Sequence, residues 1–354
     1  MTSATRVDPA RRHPLRPEPP ERPTGPGRPL RPFRLVAVLA AVVAAVSVAW
    51  LAPAPAGATA TPATATPAAA TKGGGAAGAA TATTADASNT VAPADTARGA
   101  RARRLRAASF NIRHGVGLDG LLDLQRIADV IRDAQPDVIG LQEVDRHFGE
   151  RSDFVDQARW LADELGLHVV FGANLDLEPL TPGAPRRQYG TAILSRYRIR
   201  EWRNTLLPRP EGGEQRGLLE AVVSVRGVRV RAFTTHLQHN SQIERLAQVD
   251  AVRQIVARSR ESVVLVGDLN ATPESPEVAA ITDDLADAWA RAGVGDGFTY
   301  DAATPHARID YVLTSPDVVA RTAAVVTTDA SDHLPVVADL VLPGGRVGRH
   351  HHRR

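Results

Sequence analysis

The chain has 354 residues, 43% of them hydrophobic, with no cysteine and a formal net charge of +3. That length allows a sizeable core, and the missing thiols exclude disulfides, thiolate metal sites, cysteine nucleophiles and lipoprotein anchoring. The overall charge misleads because basic residues crowd the ends: residues 105–343 hold 25 Arg and no Lys against 34 Asp and Glu, a net of −9 that disfavours non-specific binding to a polyanion.

Residues 1–34 are rich in Pro and Arg and poor in large apolar side chains, so a disordered basic leader is expected. The apolar run 35–51, LVAVLAAVVAAVSVAWL, follows Arg31 and Arg34 and precedes the small Ala54, Ala56 and Ala58. Segment 35–58 reads as a signal peptide, with a retained membrane anchor as the alternative. The basic leader keeps the N-terminus inside under either reading. Residues 59–104, almost wholly Ala, Thr, Pro and Gly over most of their length, read as a low-complexity linker. Residues 105–343 read as the folded domain and 344–354 as a basic tail whose His residues are solvated.

Within the domain, AASFNI (107–112) reads as a strand, and Leu121, Leu124, Ala128 and Ile131 predict a helix over 121–134, stopped by Pro136. DVIGLQE (137–143) predicts a short buried strand. A second helix is expected over 152–166, then strands at HVVFG and GTAILS. EAVVSVRGVRVRAFTTH (220–236) predicts a hairpin turning near Arg226 and Gly227, and Ser241 with Glu244 predicts a capping box before a helix. VVLVGDLN (263–270) reads as a strand. A helix starting at Ser275-Pro276 follows, then closing strands at RIDYVLTS, VVARTAAVVTT and HLPVVADLVL. Hairpins mixed with strand-helix-strand units fit two packed sheets flanked by helices.

Polar residues interrupt or end these apolar strands: Asn111, Glu143, His236, Asp268 with Asn270, Asp310, and Asp332 with His333. Strand ends of one sheet edge converge, so these residues are expected in one site. Carboxylates and carboxamides without thiolates suit Mg²⁺, Mn²⁺ or Ca²⁺. Two histidines add acid-base chemistry near neutral pH. Cation-assisted attack of water on a phosphoester uses all of these parts. Taken singly, Asn111 and Asn270 read equally as turn residues, and Asp310 as a partner of Arg308. His114, His147, His239 and His306 read as loop or surface histidines, and Arg186 and Arg187 as a solvated loop or a substrate contact.

The motifs SFNIRHG, GLQEVD, YGTAILS, TTHLQH, GDLNATP, RIDYVL and SDHLPV occur in the order found in the endonuclease/exonuclease/phosphatase superfamily, which the chain resembles over about residues 105–343. The resemblance implies an α/β (α+β) fold like that of deoxyribonuclease I, a four-layer sandwich of two mixed β-sheets flanked by helices. It implies Glu143 as main metal ligand with Asn111 and Asp332 beside it. Asp268 and Asn270 would orient the attacking water and contact the phosphate, or hold a second metal. His333, supported by Asp310, would bind phosphate or act in acid-base chemistry, with His236 as second catalytic histidine and Tyr189 as a phosphate-side donor. Arg113 stands where some members carry an acidic residue, so one tight metal site is expected, with Arg113 gripping phosphate or pairing with an acid.

The expected protein is therefore an exported or membrane-anchored monomer that hydrolyses a phospholipid headgroup or small phosphodiester with Mg²⁺, or with Mn²⁺ or Ca²⁺. An extracellular nuclease and a non-catalytic binding domain are the alternatives, and nucleic acid is the less favoured partner on charge. The intact mass of the exported protein should lack residues 35–51; a mass that includes them assigns the run to an anchor.

Overall fold

The computed structural model describes residues 103–344; the leader, the apolar run, nearly all of the linker and the basic tail expected from the sequence lie outside the described residues. In chain order the elements are β1 (Arg103–Asn111), α1 (Leu124–Ala134), β2 (Val138–Arg146), α2 (Gln157–Leu165), β3 (His168–Leu177), β4 (Arg187–Ser195), β5 (Glu201–Leu206), β6 (Gly217–Val225) and β7 (Val228–His236). They continue with α3 (Gln242–Val256), β8 (Ser262–Asp268), α4 (Pro276–Thr282), β9 (Ala286–Asp287), α5 (Ala288–Ala292), β10 (Asp310–Thr314), β11 (Val319–Val325) and β12 (Val336–Leu342). Among the described residues no helix is long and apolar enough to cross a membrane.

The strands form two mixed six-stranded sheets, ordered β11-β12-β1-β2-β4-β3 and β5-β6-β7-β8-β10-β9. Side chains alternate across each strand, so each sheet has an inner and an outer apolar face. Ile127, Ile131 and Leu161 of α1 and α2 pack on the outer face of the first sheet with Phe110 and Leu141. Val249, Val252, Val278 and Ile281 of α3 and α4 cover the second with Phe233 and Leu265. Between the sheets lie Leu105, Ala107, Val138, Ile193, Val264, Val266, Val312 and Ala338. The result is the four-layer sandwich expected from the sequence.

Several boundaries moved for local reasons. Asp123 caps α1 by accepting from the Gln125 and Arg126 N–H groups, so the helix starts at Leu124. Leu121, expected on the buried helix face, is instead exposed. Asp156 likewise caps α2 through Arg159 N–H, and the predicted start at 152 falls on a short 3-10 turn over Glu150–Ser152. The short elements β5, β9 and α5 were not expected. Ser241 does cap α3, accepting from Glu244 N–H, and the β6-β7 hairpin does turn at Arg226 and Gly227, both with positive φ.

The inner face changes character along its length. On β1 the inward positions run Leu105, Ala107, Ser109, Asn111, and on β7 they run Val230, Ala232, Thr234, His236. On β8 they are Val264, Val266 and Asp268, and on β10 Val312 leads back to Asp310. A hydrogen-bonded polar layer separates core from site: Ser109 Oγ donates to Gln142 Oε1 (3.4 Å), and Gln142 Nε2 to Thr234 Oγ1 (2.9 Å). Beneath it Gly140 lets the sheets close, since a Cβ there would lie 2.4 Å from Val266 Cγ2 and 2.5 Å from Thr234 Oγ1. Gly140→Ala should therefore destabilise the domain by about 1–3 kcal/mol through overpacking, read as a lowered denaturation midpoint at unchanged urea m-value.

Candidate active site

The polar ends of both sheets meet in a cavity of about 450 Å³, lined among others by Glu143, Tyr189, His236, Asp268, Asn270, Asp332 and His333. A larger cavity, about 710 Å³, surrounds the buried Arg308–Asp287 pair and contains none of the expected site residues, so size does not identify the site.

Asp268 is the hub. Its Oδ2 accepts from Asn111 Nδ2 at 3.1 Å and lies 3.4 Å from His236 Nε2 and 3.7 Å from His333 Nε2, while Oδ1 accepts from Asn270 N–H at 2.9 Å. Burial pushes its carboxyl well above the usual carboxylate range, opposed by His333. Asp310 stands opposite Asp268 on β10 and bonds His333 Nδ1 at 2.9 Å. Asp310 is thus not the partner of Arg308, which bonds Asp287 instead at 2.7 Å. Burial disfavours the His333 imidazolium, but Asp310 and Asp268 overcome this and push its pKa up to about 10. Tyr300, from the loop before β10, tilts against the His333 ring with centroids 4.9 Å apart.

His236 behaves oppositely. Burial and the Arg216 guanidinium hold its pKa well below the ordinary value, so it is neutral. Arg216 Nη1 lies 3.2 Å from His236 Nδ1. A guanidinium only donates, so Nδ1 accepts and Nε2 carries the proton facing Asp268.

Glu143 reaches the cavity through a bulge between Leu141 and Val144, with φ at 56°. Burial would raise its carboxyl, but His114, His236 and Asn111 hold it well below the usual range, so it is ionised. Asn111 Nδ2 bridges Glu143 Oε1 and Asp268, both at 3.1 Å, while its Oδ1 accepts from Arg113 N–H. Asp332 Oδ2 faces Arg113 Nε at 3.4 Å, the acid pairing offered as one option for Arg113. Tyr189 is buried on the same wall; burial and Glu143 push its phenol well above the ordinary value, so it is a neutral donor.

Two carboxylates and an amide without a thiolate suit a hard divalent cation. Glu143 is ionised and a quarter of its side chain is exposed. Asp332 Oδ2 faces Arg113 and the Asn111 oxygen accepts from Arg113 N–H, so both groups would have to turn toward Glu143 to act as the ligands expected from the resemblance. Among the described residues, the acidic and histidine atoms that converge within 4.8 Å are a different set, those of Asp268, Asp310 and His333. Within that set the hydrogen bond between His333 and Asp310 makes an acid-base pair beside Asp268.

Some expectations on individual residues changed. The β8 strand ends at Asp268, and Asn270 enters the cavity from a left-handed turn (φ 49°), fixed by Nδ2 donating to Leu237 O, not by continued strand alternation. Arg186 pairs with Asp176 and Glu178, and Arg187 donates to Phe148 O. His114, expected on a loop surface, stands 3.9 Å from Glu143, and His239 lines the cavity. Arg216, Glu214, Arg151, Phe148 and Tyr300 line it too and were not read from the sequence. The RGLLEAVV stretch offered one signal, an arginine opening a buried strand.

Because the folded pKa of His333 is raised, its contribution to stability is fully present below 6.5 and is lost as pH rises through about 10. In metal-free protein, Asp310→Asn should move the His333 NMR titration down from about 10 and cost about 3 kcal/mol at pH 6. The difference from the parent protein should shrink above pH 10.

The endonuclease/exonuclease/phosphatase family model matches residues 108–333, well over half of the chain. A solved endonuclease/exonuclease/phosphatase from Beutenbergia cavernae is 31% identical, with a TM-score of 0.59, over 68% of this chain and 72% of that one. Protein cwh43 of Schizosaccharomyces pombe is 31% identical over 156 residues, 43% of this chain and 15% of that protein. A 5′-tyrosyl-DNA phosphodiesterase of Caenorhabditis elegans is 29% identical over 219 residues, 58% of this chain and 54% of that protein. The chain thus spans about half or less of the length of these two relatives. With the two-sheet sandwich and the ionised strand-end cluster, the match establishes that this chain belongs to the endonuclease/exonuclease/phosphatase family of divalent-metal-dependent phosphoester hydrolases.

Proposed function

We propose that this protein is an exported or membrane-anchored phosphodiesterase acting on a phospholipid headgroup or a small phosphodiester with Mg²⁺. The observation that carries the substrate class is charge. The loops at the strand ends around the cavity (112–123, 147–156, 178–186, 207–216, 237–241, 269–275, 293–309 and 326–335) hold six Arg and thirteen Asp or Glu. A nucleic-acid enzyme gains most of its affinity from cations along the phosphate backbone, and this face repels a polyanion. The nuclease reading draws support from the similarity to the nematode 5′-tyrosyl-DNA phosphodiesterase.

In the proposed reaction, Asp268 accepts the proton of the attacking water, its raised pKa making it a competent base near neutral pH. Asn270 orients that water. His333, held protonated by Asp310, donates from Nε2 to a phosphate oxygen as charge builds there. The P–O bond to the leaving group breaks as the new P–O bond forms, and the leaving oxygen takes a proton from solvent and departs as the alcohol. Neutral His236 fixes the Asp268 carboxylate, and Tyr189 donates to the phosphate. Glu143, with Asn111 and Asp332 turned toward it, would hold a divalent cation, whose charge would offset that of the phosphate.

His333→Ala should lower kcat on bis(p-nitrophenyl) phosphate by about 10²–10⁴-fold with an unchanged circular dichroism spectrum; undiminished turnover would sink the mechanism. EDTA should abolish activity, and Glu143→Ala should raise the Mg²⁺ concentration needed to restore it. Release of choline or phosphocholine from phosphatidylcholine without plasmid nicking supports the lipid reading, and metal-dependent nicking replaces it with the nuclease.

A further inference from the structure

Exposed large apolar side chains are ordinary when scattered, but here they gather at one end. Of the twelve among the described residues, nine lie on the loops or element ends that surround the cavity, on both sheets. Trp202 and Val319 lie at the opposite end, where β5 and β11 begin. The most exposed of the nine are Val294 (90%) in the connection before β10, Ile243 (84%) in the first turn of α3, Leu121 (64%) before α1, Leu180 (62%) in the β3-β4 connection and Leu206 (55%) at the end of β5. Phe154 and Leu177 belong to the same ring.

The structure, taken with the proposed phosphodiesterase reading on which this step rests, assigns that ring to a lipid surface: we propose that the cavity face docks on a zwitterionic phospholipid bilayer. Three observations select this occupant. The apolar tips stand on separate loops with acidic residues between them, as suits shallow insertion at several points; a helix or strand of a protein partner would need one continuous apolar groove. The ring encloses the mouth of a phosphoester site, so whatever covers it presents a phosphate with apolar material on its far side. The six Arg against thirteen acids on these loops oppose a surface of net negative charge and leave one whose headgroups are neutral overall. The chain also carries the apolar run 35–51, which, if retained as an anchor, would hold the protein beside a bilayer.

Docking would hold the headgroup phosphate at the cavity while the acyl chains stay in the membrane. Specificity for lipid over soluble esters then resides in the rim and not in the catalytic residues.

The absence of cysteine makes the test direct. In the full chain, an environment-sensitive fluorophore is attached to single cysteines in Leu180→Cys and Ile243→Cys on the ring and in Trp202→Cys at the far end. With phosphatidylcholine vesicles the ring labels should shift to the blue and the Trp202→Cys label should not. Phosphatidylserine vesicles should give a smaller shift. The triple variant Leu121→Ser, Leu180→Ser, Ile243→Ser should lose about tenfold or more of its activity on vesicles, the removal of three apolar contacts, while hydrolysing bis(p-nitrophenyl) phosphate as before. Ring labels that stay in water, or a far-end label that shifts equally, overturn the proposal. A ring shift that grows with protein concentration without vesicles assigns the ring to a second copy and overturns it too. Binding is read without turnover, so loss of the phosphodiesterase reading would show separately, as inactivity on the soluble ester.

Discussion

One buried carboxylate organises the open end of the sandwich. Asp268 takes Asn111 from the first sheet, His236 from the neighbouring strand of the second and His333 from the β11-β12 connection within about one hydrogen-bond shell. A lone charge at that depth would be prohibitively costly, and its surroundings decide what it becomes. His333 is held protonated beside it and His236 is held neutral. Two histidines of equal intrinsic chemistry are thus set to opposite charge states by their second neighbours, Asp310 and Arg216. The division of labour within the site follows from those neighbours.

The architecture beneath explains why such a cluster can exist. The same two-residue period that fills the space between the sheets with Val, Ala and Leu continues into Asn111, His236, Asp268 and Asp310. Core and site are successive stretches of the same inward-facing rows. The Ser109–Gln142–Thr234 bonds form the transition, satisfying polar groups where the apolar core stops. Because Gly140 allows the sheets to approach closely just below, residues from opposite sheets reach one another without a long side chain between them.

This also accounts for what could be read from the sequence. Strand-end residues on regular alternation, such as His236, Asp268 and Asp310, are legible because an apolar strand that ends in a carboxylate or imidazole violates its own pattern. Glu143 and Asn270 were legible as residues but not in their geometry, since a bulge and a left-handed turn direct them, and both depart from strand alternation. His114 was misread for the same reason, sitting in a run of positive φ from Arg113 to Gly115 that no periodicity announces. Arg216 and Tyr300 act through contacts with residues many positions away, information that a single sequence does not carry locally. The fold class was clearer than the helix starts, which depended on which of several acidic residues became a cap.

The pairing of the first and last strands has a further consequence. Arg103 of β1 lies opposite Leu342 of β12, so the two ends of the folded unit are neighbours about 5 Å apart, at the pole away from the cavity. A short covalent bridge there would close the backbone into a ring with no distortion of the catalytic pole. New termini could then be opened elsewhere, and the whole unit could be spliced into a surface loop of a host protein as an insert that enters and leaves at one point.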